Sequence, residues 1–348
     1  MVICKDMGPT NMVAPIAQVL SEQGHEVFPV LEGMGARLWP AMCAVPPVFR
    51  GTDDYATIPF SLEIGPVLDH CRPDVVIVGT SFPNHLEGRF IRAAQQRDIP
   101  RVVVEDFWGG FRRLGLLRPP NLVLTLDEYS SELIRQQFGS EPRVTIVGNP
   151  GVKFRYADPA PEIMAMRTRG DLVITLCGGG YETAEQIQLL IECLNVTRKR
   201  WKLIPRWHPK EANRPDPENN NRPYRETWDA LLEQLGDQVV RVDGPSTESV
   251  VVASNMVCAG YSTLLSTAAY AGVVAVSLAT PKVMQALGEE SPLDQIPQVG
   301  LEVAHQVTSH VDLAQLQPCP AEARARLIPF DPTVGAAAVC DLLEGVHA

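Results

Sequence analysis

Short apolar runs rich in β-branched residues alternate with helix-length amphipathic stretches from one end of the chain to the other. That alternation is the pattern of parallel βαβ units rather than of a sandwich, so the fold class is α/β. In the first half it predicts strands at Val2–Lys5, Glu26–Leu31, Asp74–Gly79, Arg101–Glu105, Leu122–Thr125 and Val144–Val147. Helices are predicted between them at Met12–Gln23, Ser61–Cys71, Leu86–Arg97 and Glu128–Gln137. A polar, proline-bearing stretch follows Gly148-Asn149-Pro150-Gly151, and the alternation restarts at Asp171. There the predicted strands are Leu172–Leu176, Lys202–Trp207, Val239–Val242, Met256–Ala259 and Val273–Leu278. The helices are Glu182–Arg198, Glu226–Gln234, Thr247–Ser254, Thr263–Ala271 and Pro281–Leu287.

A chain of 348 residues exceeds what one hydrophobic core usually supports. The sequence therefore divides into two Rossmann-like domains, 1–152 and 165–330, hinged near 150–165, with a C-terminal helix in 331–348. In such folds ligands bind outside the carboxyl ends of the strands, and a cleft between two domains gathers both sets of strand ends. Thirty prolines in 348 residues, about 9% against an average of about 5%, stiffen the connections. The segment Lys210–Tyr224, polar and rich in proline and asparagine, reads as a mobile surface loop. The apolar run Val334–Leu343 in the tail needs a partner surface.

A net charge of −11 and a pI near 5.2 argue against nucleic acid or an anionic membrane as partner. Eight dispersed cysteines form no CxxC pair, which excludes a zinc knuckle and a thioredoxin motif and fits buried, reduced thiols. Neither a long apolar run nor the two regions of a signal peptide is written at the N-terminus or elsewhere, so a cytoplasmic protein with no integral membrane segment is expected.

Five loops at strand ends can carry chemistry. In Lys5-Asp6-Met7-Gly8-Pro9-Thr10-Asn11, Gly8 allows close backbone approach and the helix start offers unpaired N–H groups. Glu105 and Asp106 emerge together where a three-valine strand ends; alternation aims at most one of them at a ligand, and that one suits a general base. An N-cap or a salt-bridged acid is the structural alternative for either. Gly178, Gly179 and Gly180 precede a helix-start threonine, as a phosphate cradle or as a tight packing turn. His208, fixed by Pro209, stands with Arg206 and Lys210 as a small basic cluster suited to a phosphate. Ser262 and Thr263 offer hydroxyls and a helix start in the fifth turn, where helix capping is compatible with the same role. No GxGxxG and no P-loop motif occurs.

These turns, the Val147-Gly148-Asn149-Pro150 junction and the strand–helix unit ending at Gly272 resemble the GT-B glycosyltransferases and the nonhydrolysing UDP-N-acetylglucosamine 2-epimerases. His208-Pro209 followed by Ser262-Thr263 is similar to the HP and S-[ST] motifs of bacterial sialyltransferases and capsule enzymes. The resemblance implies that His208, Ser262 and Thr263 hold the phosphate of a nucleotide-sugar donor, with Gly178–Gly180, Arg206 and Lys210 around it. It also implies that Asp106 or Glu105 is the base. The acceptor, of unknown identity, would fall to Gly8, Asn11 and His85 in the first domain. UDP-sugar members usually carry a glutamate where this chain has Thr267, which weakens a UDP-sugar donor, and the epimerases' aspartate after the third strand is replaced by Gly79-Thr80-Ser81-Phe82. No DxD motif is present. The expectation is a metal-independent glycosyltransferase that needs no cofactor beyond its nucleotide-sugar substrate. A nucleotide-sugar 2-epimerase and a non-catalytic GT-B-like binding protein are the alternatives.

Overall fold

The structure, a computed structural model, describes residues 1–51, 63–82, 86–208 and 213–347. The chain divides into two compact units, Met1–Pro150 with Ile328–Ala348, and Gly151–Leu327. Each is built on one parallel sheet with helical crossovers.

The first unit has seven parallel strands in the order β3-β2-β1-β4-β5-β6-β7. They are β1 (Val2–Cys4), β2 (Pro29–Leu31), β3 (Phe49–Arg50), β4 (Val76–Val78), β5 (Arg101–Val104), β6 (Leu122–Thr125) and β7 (Arg143–Ile146). The helices are α1 (Met7–Glu22), α2 (Gly33–Leu38), α3 (Ile64–Cys71), α4 (Leu86–Gln95) and α5 (Glu128–Phe138). The central strands are buried on both faces, which is why they read as unbroken apolar runs such as Val102-Val103-Val104. Strand order reverses between β1 and β4, and that reversal places the turns after these two strands side by side.

The C-terminal segment completes this unit. Gly148 has φ +90° and its α-carbon lies against the backbone of Ile328 and Pro329, an approach that a side chain would block. Asn149 N donates to Ile328 O at 2.8 Å and Asp331 N to Val147 O at 2.8 Å, so the returning chain extends past the end of β7. The helix Pro332–His347 then packs on α1 and β6, burying Ala336 and Val339. That is the partner surface that its apolar run required.

The second unit has five parallel strands in the order β14-β13-β12-β8-β9. They are β8 (Leu172–Gly178), β9 (Trp201–Trp207), β12 (Met256–Ala259), β13 (Val274–Leu278) and β14 (His305–Val307). Helix α6 (Pro161–Thr168) precedes β8, and α7 (Thr183–Val196) joins β8 to β9. Here the order reverses between β8 and β12, which brings the Gly178 turn beside the Gly260 turn.

Several predicted elements are corrected. Helix α1 starts at Met7, five residues early, because Pro9 falls in its first turn, where a missing N–H costs nothing. Val239–Val242 forms no strand: Val239 makes a single bridge to Leu203. Part of the expected loop is ordered, since Pro215–Asp216 (β10) and Arg222–Pro223 (β11) pair as a short antiparallel hairpin. Asn219 Nδ2 donates to Thr227 Oγ1 at 2.6 Å and Thr227 Oγ1 to Asp216 Oδ2 at 3.3 Å, which pins this hairpin to the helix Tyr224–Glu233.

Candidate functional site

In the first unit the turns after β1, β4 and β5 interlock. Asp6 N donates to Ser81 Oγ at 3.0 Å, and Phe82 N donates to Asp6 Oδ2 at 2.9 Å. Ser81 Oγ in turn donates to Glu87 Oε1 on α4. Glu87 is fully buried, and burial pushes its carboxyl up to about 7. From the turn after β4, Thr80 Oγ1 donates to Asp106 Oδ1 at 2.6 Å. Arg113 Nη1 donates to the Thr80 carbonyl at 3.0 Å, and its guanidinium stands over Phe107 at 5.3 Å and Phe82 at 5.7 Å.

The two adjacent carboxylates, just past the end of β5, take different environments. Glu105 is wholly enclosed, accepting from Ser130 Oγ at 2.5 Å and from Phe111 N at 3.3 Å. Burial pushes its carboxyl up to about 8, so it is largely neutral near pH 7. Asp106 is only partly buried and lies against Gly8, so close that position 8 has no room for a β-carbon. Of the two, only Asp106 retains exposed surface at the strand end. Asn11 sits half-buried on α1, and Pro15, which has no N–H, leaves its carbonyl without the usual helical donor. His85 lies outside the described residues.

In the second unit, the glycine turn and the histidine meet. His208 N donates to Gly178 O at 2.9 Å, and a β-carbon on Gly179 would stand 3.7 Å from His208 Cβ. The His208 side chain is exposed. The amides of Gly179 and Gly180 are not turned outward, because Thr183 Oγ1 accepts both, at 3.0 and 3.2 Å. The threonine hydroxyl thereby fixes the glycine turn just before α7. Arg206 is half-buried and donates through Nη2 to Pro245 O at 2.9 Å, while its buried Nε has no partner among the described residues. Lys210 and Pro209 lie outside the described residues.

Across the β8/β12 reversal, Ser262 Oγ accepts from Leu264 N at 3.3 Å and Thr263 is the N-cap residue of the helix Leu264–Tyr270. Gln298 Nε2 donates to Ser262 O at 3.1 Å and Ser277 Oγ to Gly260 O at 2.7 Å, so this turn is held from two sides. Thr267 is committed elsewhere, its Oγ1 donating to Gly151 O at 2.7 Å. Tyr181 OH donates to Glu289 Oε2 at 3.1 Å, which adds a carboxylate beside the glycine turn.

Thr80, Ser81, Arg113 and Thr183 were not among the predicted site residues. The first two were legible as the residues that follow the strand beside β1, had the strand order been known. Among the described residues, no group of three His, Cys, Asp or Glu side chains is placed to hold a metal ion, and no helix is long and apolar enough to cross a membrane.

Neither a protein-family profile nor a curated sequence matches the chain. Solved structures do. The UDP-GlcNAc 2-epimerase of Neisseria meningitidis bound to UDP-GlcNAc superposes with a TM-score of 0.59 at 12% identity, covering 99% of this chain and 98% of that one. Anabaena HepE in complex with UDP and glucose gives 0.58 at 13% identity, with 99% of each chain covered. The calicheamicin glycosyltransferase CalG4 gives 0.53 at 14% identity over 99% of this chain and 98% of that one. The chain has the GT-B fold. Both halves of that fold are present as Rossmann-like units, and in each the polar turns described above crowd the point where strand order reverses.

Proposed function

We propose that the chain is a glycosyltransferase that uses a nucleotide sugar. The second unit would bind the donor through the turns after β8, β9 and β12, and Asp106 of the first unit would take the proton of an acceptor hydroxyl. The acceptor oxygen bonds to the anomeric carbon as the bond from that carbon to the donor phosphate oxygen breaks, and the electron pair leaves with the phosphate. The side chains of His208 and Arg206 are the groups that would stabilise that charge. The nucleotide sugars and nucleotides bound in the Neisseria and Anabaena structures support a donor of this class.

The observation that carries the reading is the division of labour between Glu105 and Asp106. A base must reach the hydroxyl that it deprotonates, and Glu105 is sealed behind Ser130 and Phe111 whereas Asp106 is presented by Thr80. The likeness to epimerase structures favours a second reading, nucleotide-sugar 2-epimerisation. The two part on one measurement: an epimerase forms product without any acceptor.

Calorimetric titration with UDP, CDP, CMP, GDP and ADP tests the donor assignment, and transfer assays with the nucleotide's sugars test the rest. Asp106→Asn and His208→Ala are each expected to lose at least about a hundredfold in turnover, the usual range for a general base or a charge-stabilising donor. Full turnover in both variants, or binding of none of the five nucleotides, would end this reading.

A further inference from the structure

We infer that the first unit carries a second ligand site, at the opposite ends of its strands from the polar turns, and that it takes a small α-amino acid with an apolar side chain. A cavity of about 150 Å³ opens where β1, β2 and β4 begin. Its wall is apolar: Val2, Leu20, Ile77 and Val339 are buried, and Leu343 of the C-terminal helix is half-buried. A cavity of that size accepts a body as large as benzene. The charged side chains of Glu26, Arg72 and Asp74 line the same cavity. All three residues are exposed, and none of them enters an ion pair among the described residues. His25 also lines it and contacts Cys340 Sγ at 3.3 Å.

Arg72 closes helix α3 with φ +43°, its N–H donating to Leu68 O at 2.8 Å. That left-handed closing position favours glycine, yet here it carries a guanidinium at the cavity. Charge and shape together select the ligand. A hydrocarbon would fill the wall and leave the charges partly desolvated with no partner. An inorganic anion meets one guanidinium against two carboxylates and gains nothing from the apolar wall. A simple amine leaves Arg72 unanswered, and a simple acid leaves Glu26 and Asp74. An apolar α-amino acid answers all three, with its ammonium toward the carboxylates, its carboxylate toward Arg72 and its side chain in the cavity. Every lining residue belongs to the first unit, and Asp106 stands at the other end of the sheet, so the inference does not depend on the transferase reading.

Saturation-transfer NMR titrations on the full chain, without nucleotide, test it. The probes are leucine and phenylalanine, with isopentylamine and isocaproate as leucine stripped of one charge, and glycine as the head group without a body. Leucine or phenylalanine should bind, and loss of either charge or of the apolar body should weaken binding at least about fivefold. Arg72→Gly should bring leucine down to the affinity of the amine, while its urea midpoint does not fall, because glycine takes φ +43° without strain. Leu343→Trp, which fills the cavity from the terminal helix, should abolish the leucine signal with an unchanged circular dichroism spectrum. Saturating UDP or CMP should leave that signal in place. Binding of neither amino acid, equal affinity for leucine and its two singly charged analogues, or an unchanged leucine affinity in Arg72→Gly or Leu343→Trp would overturn the proposal. Displacement of leucine by either nucleotide would overturn it too, by placing the amino acid in the nucleotide's site.

Discussion

Gly8, in the first turn of α1, and Asp106, just past β5, touch, and a β-carbon at position 8 would fall far inside van der Waals distance of the carboxylate. The contact sets where that carboxylate stands, because Thr80 holds its other oxygen at 2.6 Å. Gly8→Ala is therefore expected to break the Thr80 bond by pushing Asp106 aside, with an overpacking cost of about 1–3 kcal/mol. Turnover should fall at least about tenfold while donor affinity stays unchanged. Thr80→Val, which frees the same carboxylate without crowding it, should lower turnover in the same direction. Steady-state kinetics beside a denaturation curve separates the two effects, and a fully active Gly8→Ala would show that the position of Asp106 does not matter.

Glu105 gives the first unit a built-in dependence on pH. Its carboxyl is raised from the ordinary 4.5 to about 8 by burial, so between those values the folded chain holds a proton that the unfolded chain has released. Stability is then greatest at the acid end of that window and declines as pH rises toward about 8. Glu87, raised to about 7, and Asp127, raised to about 6, act in the same direction. Glu105→Gln keeps the shape and hydrogen-bonding capacity and removes the titration. Its stability relative to the parent should grow from about pH 5 to pH 8 by a few kcal/mol at most. Urea melts at a series of pH values measure this, and parallel curves for the two proteins would show that Glu105 does not titrate as described.

Thr183 orders the glycine turn by accepting from the Gly179 and Gly180 amides together. Thr183→Val removes the acceptor at constant volume and should cost about 1–2 kcal/mol for the two stranded donors. Thr183→Ser should restore most of it. Nucleotide affinity by calorimetry is expected to follow the same order, weaker in the valine variant and near the parent value in the serine variant. Tighter binding in Thr183→Val would show instead that the released amides, rather than the ordered turn, are what a phosphate needs.

The parallel α/β pattern and the turns around Gly8, Gly178, His208 and Ser262 were legible because buried strands and helix starts leave local marks. What was not legible depends on partners distant in the chain. Strands β3 and β14 are two and three residues long and exist only as edge additions to a sheet already formed. Alternation told that Glu105 and Asp106 face opposite ways; which one is enclosed was decided by Ser130 on α5 and by the Gly110–Leu114 turn, twenty-five and six residues onward for the two contacts. Likewise, the Asp6–Ser81 clip follows from β1 lying beside β4, and no local periodicity encodes that neighbour. The valines at 239–242 show the converse error, an apolar run that one bridge does not make into a strand.

The C-terminal helix offers a paired test of packing against propensity. A side chain at Gly335 would meet Ile16 Cδ1 at 2.8 Å and Leu124 Cδ1 at 3.3 Å, whereas Gly345, on the same helix, has nothing within 4 Å. Gly345→Ala should stabilise the first unit by about 0.5–1 kcal/mol, since alanine loses less backbone freedom in a helix. Gly335→Val should destabilise it by about 1–3 kcal/mol, because the gain in helix propensity is small beside the overpacking of α1 and β6. Both substitutions leave the turns at the carboxyl ends of the strands untouched, so guanidinium unfolding reads packing alone. If Gly335→Val were as stable as Gly345→Ala, the helix would not be seated on Ile16, and the apolar run from Val334 to Leu343 would need another partner.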